Sequence, residues 1–149
     1  MKSFTGNFTQ QEGIPDSAIN KAIEVMRSGR LHRYNVDIGE KAEATQLELE
    51  FAQYQGSTFC LACASGGYAM QLALASIGLE HNEPVLTNAF TLSPVPGAIH
   101  NVGAKPVLVE TTDQLVIDLD DLDKKIRSSD ARVFLLSHML RHIVYMEKL

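Results

Sequence analysis

Long apolar runs are absent from this 149-residue sequence. The amino-terminal stretch MKSFTGNFTQQEG is polar and contains no apolar core of signal-peptide length, and the longest apolar runs elsewhere are too short and too interrupted to span a bilayer. These absences argue against a secreted or membrane-spanning protein. We expect a cytoplasmic protein with no membrane partner.

Basic clusters are absent as well. The chain has 13 Lys and Arg against 18 Asp and Glu, a formal net charge of −5, and no basic patch interleaved with aromatic residues. The electrostatic footprint of a nucleic-acid-binding protein is therefore missing, and we expect no nucleic-acid partner. The remaining composition, 45% hydrophobic and 21% charged, is typical of a globular protein with one sizeable core.

Cysteine occurs only twice, as Cys60 and Cys63 in the sequence CLAC. A C-x-x-C spacing raises the question of a redox or metal site. The surrounding segment is typical of a buried strand, on which residues three apart point to opposite faces, and no second cysteine pair could complete a zinc site. We therefore predict that both cysteines pack in the core.

Three functional motifs are also absent. Neither G-x-x-x-x-G-K-[ST] nor G-x-G-x-x-G occurs, which excludes a P-loop and argues against a dinucleotide-binding fold of the usual kind. His138 and His142 have the four-residue spacing of zinc-binding histidines on a helix, but Met139 occupies the position of the catalytic Glu in that motif. We predict no metal site.

Helical and strand patterns alternate along the rest of the chain. After an irregular arm over residues 1–15, the spacing of apolar residues predicts helices at 17–28 and 42–54. Short continuous apolar runs then predict buried strands with helices between them. The predicted strands are 58–63, 84–89, 105–110 and 131–137, and the predicted helices between them are 68–77, 93–101 and 119–128. This order predicts an α/β fold with a mainly parallel sheet and flanking helices, in one domain over residues 16–149.

A glycine pair lies where the first predicted strand meets a helix. Ser65, Gly66, Gly67 and Tyr68 occupy this junction. Ligands of α/β sheets gather at the carboxyl ends of strands, where a helix start offers free backbone N–H groups and the positive end of a dipole. Glycines would let the backbone approach an anion and Ser65 would add a hydroxyl, so phosphate is the natural ligand. A tight turn without a ligand explains the same residues equally well, and the pattern alone leaves both interpretations open.

Six segments in order resemble a known family. They are FAQYQG, ASGGYAMQLALASIG, PVLTNAFTLSPVPGAI, GAKPVLVE, the stretch LVIDL and ARVFLLSHM. Together they resemble the N-terminal part of the DegT/DnrJ/EryC1/StrS family, over nearly the whole chain as far as His138. Members of that family are pyridoxal-phosphate-dependent aminotransferases of fold type I, best known for aminating nucleotide-linked keto sugars. The resemblance implies part of a fold-type-I large domain, pyridoxal 5′-phosphate as cofactor and a nucleotide-sugar substrate for the intact protein.

The resemblance also implies roles for individual residues. The family holds the cofactor phosphate in a Ser-Gly-Thr-like turn, which is matched here by Ser65, Gly66, Gly67 and Tyr68, with Gly67 where Thr is common. An aromatic residue covers the pyridine ring in a stretch that is matched by residues 88–92. The spacing would place Leu92 over the ring, but Phe90 is the aromatic residue of this stretch and is favoured for the ring contact, with Leu92 kept as the alternative.

Part of the family pattern is missing. Members are more than twice as long, and their Schiff-base lysine and the aspartate that pairs with the pyridine nitrogen lie beyond the region matched here. The tail SHMLRHIVYM also departs from the family, with Arg141 at a glycine and Tyr145 at an aspartate position. The resemblance therefore implies a truncated aminotransferase that is not catalytically complete alone, the alternative being a non-catalytic module that binds phosphate or serves in assembly. Since a shortened sheet leaves apolar surface uncovered, we expect a homo-oligomer, as a dimer.

Overall fold

The computed structural model describes residues 5–7, 9, 11–139 and 143–149, with the side chain of Lys148 left out. The chain divides into two compact units, Met1–Ala62 and Cys63–Leu149. We call them the first and second unit and describe each by itself. Among the described residues, no helix has the length and apolar character needed to cross a membrane.

The first unit contains the helices α1 (Asp16–Ser28) and α2 (Glu43–Gln55). Each ends at a glycine with positive φ, Gly29 at 70° and Gly56 at 66°, a conformation that glycine adopts at little steric cost. Both helices agree with the predicted bounds to within one residue. α1 buries no side chain and α2 buries Ala52 alone, so this unit exposes most of its apolar residues.

The predicted strand at 58–63 is wrong. Residues 58–63 have no regular secondary structure, and Phe59 and Leu61 are 87% and 60% exposed. A short apolar run becomes a strand only where a neighbouring strand pairs with it, and no ladder of the described sheet includes this segment. The prediction of core cysteines fails with it, because Cys60 and Cys63 form no disulfide and are only partly buried.

The second unit contains a three-stranded parallel sheet in the order β2-β1-β3. The central strand β1 (Pro84–Asn88) pairs along its whole length with β2 (Lys105–Val109) and over three residues with β3 (Val133–Leu135). The helices are α3 (Gly66–Ser76), α4 (Pro94–Asn101) and α5 (Leu119–Ser129), followed by a 3₁₀ helix at Met146–Lys148. The predicted α/β fold with a parallel sheet is confirmed, and α3 to α5 begin and end within two residues of the predicted bounds.

Helices cover both faces of the sheet. Neighbouring residues of β1 point to opposite faces, so each face of this strand packs in its own cluster. Val85 packs in a cluster with Leu74 of α3 and with Ala98 and Ile99 of α4. Leu86 packs on the other face, in a second buried cluster whose other members are Val109, Ile117, Leu122 and Val144. β1 is therefore apolar on both faces, as the continuous apolar run predicted.

Candidate functional site

The start of α3 presents free hydrogen-bond donors. Ser65 precedes the helix in an extended conformation, and its Oγ accepts a hydrogen bond of 3.1 Å from the Tyr68 N–H. Because Oγ is the acceptor in this N-cap, the hydroxyl proton of Ser65 remains available to a ligand. Gly66 and Gly67 are the first two residues of the helix, so their N–H groups have no acceptor within it. We call these four residues the 65–68 turn.

The glycines leave this turn open. A Cβ at Gly66 would meet no atom within 4 Å, whereas a Cβ at Gly67 would lie 3.4 Å from Cβ of Pro94. The Cβ position of Gly66 therefore faces open space, and Gly67 lies beside the first residue of α4. The starts of α3 and α4 adjoin each other.

α4 cannot contribute donors of the same kind. Its residues Pro94 and Pro96 have no N–H, and the N–H groups of Val95 and Gly97 are used by the carbonyls of Leu92 (2.9 Å) and Ser93 (3.0 Å). Of the two adjoining helix starts, α3 alone therefore offers N–H groups to an anion. The donors at this point of the fold belong to the 65–68 turn.

The carboxyl end of β1 is held by Asn88, which is 3% exposed. Its Nδ2 donates to the carbonyls of Phe90 (2.7 Å) and Ser137 (3.1 Å), and its Oδ1 accepts from the Ser137 N–H (2.9 Å). One side chain thus connects the end of β1 with the next loop and with the segment after β3. No contact of Asn88 was predicted from the sequence, although the polar pair Thr87 and Asn88 at the end of an apolar strand marks this position.

Residues 89–93 form a loop between β1 and α4, which we call the 89–93 loop. Both candidates for the ring contact lie in it, Phe90 partly buried and Leu92 60% exposed. The structure places the two residues in the same loop as the sequence indicated, and the choice between them stays a prediction. Their loop leads directly into Pro94 beside Gly67.

Two buried hydroxyls near the end of β1 lack partners among the described residues: Thr87 Oγ1 and Thr91 Oγ1. Thr87 is fully buried and shares the face of Val85, which is the face that α3 and α4 cover. A buried hydroxyl without a partner costs about 1–3 kcal/mol. Neither threonine was among the site residues predicted from the sequence.

Shifted pKa values occur away from the 65–68 turn. Glu83 lies just before β1, at the amino end of the sheet, and the guanidinium of Arg132 (2.5 Å) together with the Glu80 N–H lowers its pKa. On α5, the Glu110 N–H and the ammonium of Lys125 lower the pKa of Asp121. These carboxylates anchor loops and helix ends.

In the second unit, the lysines whose side chains the structure describes belong to elements other than the 65–68 turn and α3. Lys105 begins β2, at the opposite edge of the sheet, and Lys124 and Lys125 lie on α5. The ammonium of Lys125 is engaged by the Leu108 carbonyl (2.5 Å) and by Asp121 (2.8 Å). His138 is exposed, while His142 lies outside the described residues.

The α/β fold and the 65–68 turn are considered together with the similarity to known proteins. The second unit is an α/β unit with a parallel sheet, and one of its helix starts presents free N–H groups and a serine hydroxyl, a set of donors that suits an anionic group. The donors suit a phosphate monoester, because they are neutral N–H and O–H groups at the positive end of a helix. The profile of the DegT/DnrJ/EryC1/StrS aminotransferase family matches residues 14–149, and the chain belongs to this family. Pyridoxal phosphate is the cofactor that membership implies.

Three relatives illustrate the similarity. A dTDP-3-amino-3,4,6-trideoxy-alpha-D-glucose transaminase of Micromonospora megalomicea subsp. nigra is 35% identical over 77 residues, 52% of this chain. A pleiotropic regulatory protein of Geobacillus stearothermophilus is 31% identical over 111 residues, 74% of this chain. A Streptococcus pneumoniae protein described as a sugar aminotransferase, solved in its PLP form, matches 91% of this chain with a TM-score of 0.78 at 20% identity.

The chain is much shorter than these relatives. The matched region spans 20% and 28% of the two curated proteins and 33% of the solved structure. At 20% identity the solved structure shows a shared fold, that of pyridoxal-phosphate aminotransferases. The fold class inferred from the resemblance is therefore confirmed, for a part of the complete enzyme fold.

Proposed function

We propose that the 65–68 turn binds the phosphate group of pyridoxal phosphate. The observation that carries this proposal is the pair of N–H groups of Gly66 and Gly67 beside the hydroxyl of Ser65, at the one adjoining helix start that has donors to offer. Tyr68, whose N–H donates to Ser65 Oγ, is the fourth proposed cofactor-binding residue of the turn. Phe90 or Leu92 would contact the pyridine ring from the 89–93 loop.

We further propose that the chain is the amino-terminal portion of an aminotransferase that acts on a nucleotide-linked keto sugar. The Micromonospora relative carries the name of a transaminase of a dTDP-linked sugar. When bound, pyridoxal phosphate would supply an aldehyde that carries the amino group between a donor and a carbonyl compound, and a pyridine ring that withdraws electrons from the reacting carbon. The 65–68 turn and the 89–93 loop would bind and orient the cofactor. The lysines of α5 and β2 lie on other parts of the second unit. Catalysis therefore requires a lysine from another segment or chain.

Phosphate recognition is tested by calorimetric titration of the full chain with pyridoxal phosphate and with pyridoxal, which lacks the phosphate. We expect saturable binding of the first and none of the second. Ser65→Ala removes a hydroxyl donor and the N-cap acceptor, and we expect about tenfold weaker binding, the effect of losing one hydrogen bond to a charged group.

The matched control is Asp118→Ala. Asp118 caps α5 by accepting from the N–H groups of Asp120 (2.9 Å) and Asp121 (3.1 Å), so its loss removes an N-cap without touching the turn. Affinity should stay within twofold of the wild type. If both variants weakened cofactor binding equally, the stability of the fold would control binding, and the contact of Ser65 with the phosphate would be rejected.

A second candidate function is a non-catalytic module that binds a phosphate compound or serves in assembly. The Geobacillus relative carries the name of a regulatory protein, which supports this second candidate. Binding of inorganic phosphate as tight as that of pyridoxal phosphate would support this candidate, because a cofactor site gains affinity from ring contacts.

We also propose a homodimer in the cytoplasm, with residues 1–15 as an arm of the domain over 16–149. Supporting this assembly, one face of α2 carries Leu47, Phe51 and Tyr54 at helical spacing, 56%, 48% and 82% exposed. Such an apolar stripe on a helix is typical of an interface.

A further inference from the structure

Asn88 is an unusual residue for its place in the fold. It ends the central strand of a parallel sheet, where asparagine is disfavoured, and it is 3% exposed. A buried amide is costly unless it is hydrogen-bonded. Here both N–H groups of Nδ2 and one lone pair of Oδ1 are used, all by backbone groups of Phe90 and Ser137. The carboxamide of Asn88 therefore forms hydrogen bonds of the kind that a peptide group forms.

The two bonds to Ser137 prolong the sheet. The β1–β3 ladder ends at the pair Thr87 and Leu135, and the carboxamide of Asn88 then pairs with both the N–H and the carbonyl of Ser137. A carboxamide has the donor and acceptor of a peptide group, so this contact substitutes for the next ladder pair. It fixes the carboxyl end of β1 against the segment that follows β3.

The third bond reaches the 89–93 loop. Nδ2 donates to the Phe90 carbonyl at 2.7 Å, two residues along the chain, which holds the first turn of the loop. The loop continues through Leu92, whose carbonyl accepts from Val95, into Pro94 beside Gly67. A rotation of the loop start would therefore displace Phe90 and Leu92 relative to the 65–68 turn.

We propose that Asn88 is a positioning residue for the cofactor ring. Its carboxamide orients the 89–93 loop, so that the ring-contacting residue of this loop lies at a fixed place relative to the 65–68 turn. This inference rests on the proposed binding of pyridoxal phosphate for its function. The orientation of the loop itself rests on the hydrogen bonds alone.

The test compares Asn88→Ala with Thr87→Val, a neighbouring and fully buried residue whose hydroxyl has no partner among the described residues. Two ligands are titrated, pyridoxal phosphate and inorganic phosphate, and the circular dichroism of the bound cofactor is recorded. For Asn88→Ala we expect about tenfold weaker cofactor binding and an altered dichroism band, with inorganic phosphate affinity within twofold. Thr87→Val should change the cofactor dichroism little.

Hydrogen exchange of the ligand-free chain supplies an independent readout. Asn88→Ala should speed exchange of the Ser137 amide and of the 89–93 loop at least about tenfold relative to Thr87→Val, because the Ser137 N–H loses its acceptor. Asn88→Ser removes the carboxamide without placing a charge beside the two carbonyls, and it replaces the alanine variant if the latter does not fold. Unchanged hydrogen exchange in the loop, or equal losses of affinity for the cofactor and for inorganic phosphate, would overturn the positioning role. Failure of the wild type to bind either ligand would instead reject the proposed function, and loop exchange would still decide on Asn88.

Discussion

Ser65 shows how far single residues could be interpreted from sequence. Its place before a glycine pair and a helical pattern indicated a hydroxyl at a helix start, with a phosphate site and a tight turn both open, and the structure shows it as the N-cap that accepts from the Tyr68 N–H. Asn88 shows the opposite case. Its partner Ser137 is 49 residues away, and no local pattern reveals which backbone groups a distant segment will offer to a buried amide.

Glu83 provides a prediction on pH dependence. Arg132 and the Glu80 N–H lower the pKa of Glu83 in the folded chain, so ionised Glu83 stabilises the fold above its unfolded pKa of about 4.3. This contribution is lost as the pH falls through the lower, folded pKa. Urea denaturation of wild type and Glu83→Gln between pH 2 and 7 should give stabilities that differ at neutral pH and converge in acid.

The control for this experiment is Glu110→Gln, since the described hydrogen bonds of Glu110 involve its backbone. Its stability should follow the wild type at every pH. A difference between wild type and Glu83→Gln that persists unchanged at pH 2 would contradict the assigned role of the carboxylate.

Helices were predicted better than strands, for a physical reason. A helix satisfies its hydrogen bonds within one segment and ends at local signals such as Gly29 and Gly56, so its bounds can be inferred from neighbours in sequence. A strand needs a partner from elsewhere in the chain. The apolar run at 58–63 has the composition of a strand, and the described sheet offers it no pairing.

α4 is fixed to the sheet by Ile99, which is fully buried between the helix and Val85. We expect Ile99→Ala to lower the free energy of unfolding by about 2–5 kcal/mol, because it creates a cavity in the core. The matched variant is Ile126→Ala on α5, where the side chain is 48% exposed, and its cost should stay within about 0.5 kcal/mol. Urea denaturation measures both. Similar costs for the two variants would contradict the packing of α4.

Assembly concerns the molecule as a whole. Sedimentation velocity of the full chain should give a dimer, and Phe51→Glu should shift it towards monomer by placing a charge in the apolar stripe of α2. Ile126→Glu, an equally exposed position on α5, serves as control and should leave the dimer intact. A wild-type monomer at high concentration, or dissociation by both variants, would contradict the interface on α2.

The central claim is that the 65–68 turn is the phosphate site of a DegT/DnrJ/EryC1/StrS family protein. Amide-resolved nuclear magnetic resonance during a titration with pyridoxal phosphate tests it most directly, because the N–H groups of Gly66 and Gly67 are the proposed donors. We predict that these two amide signals shift most and saturate with one cofactor per chain, and that inorganic phosphate moves the same signals. Saturable shifts elsewhere in the chain, with Gly66 and Gly67 unmoved, would contradict the account.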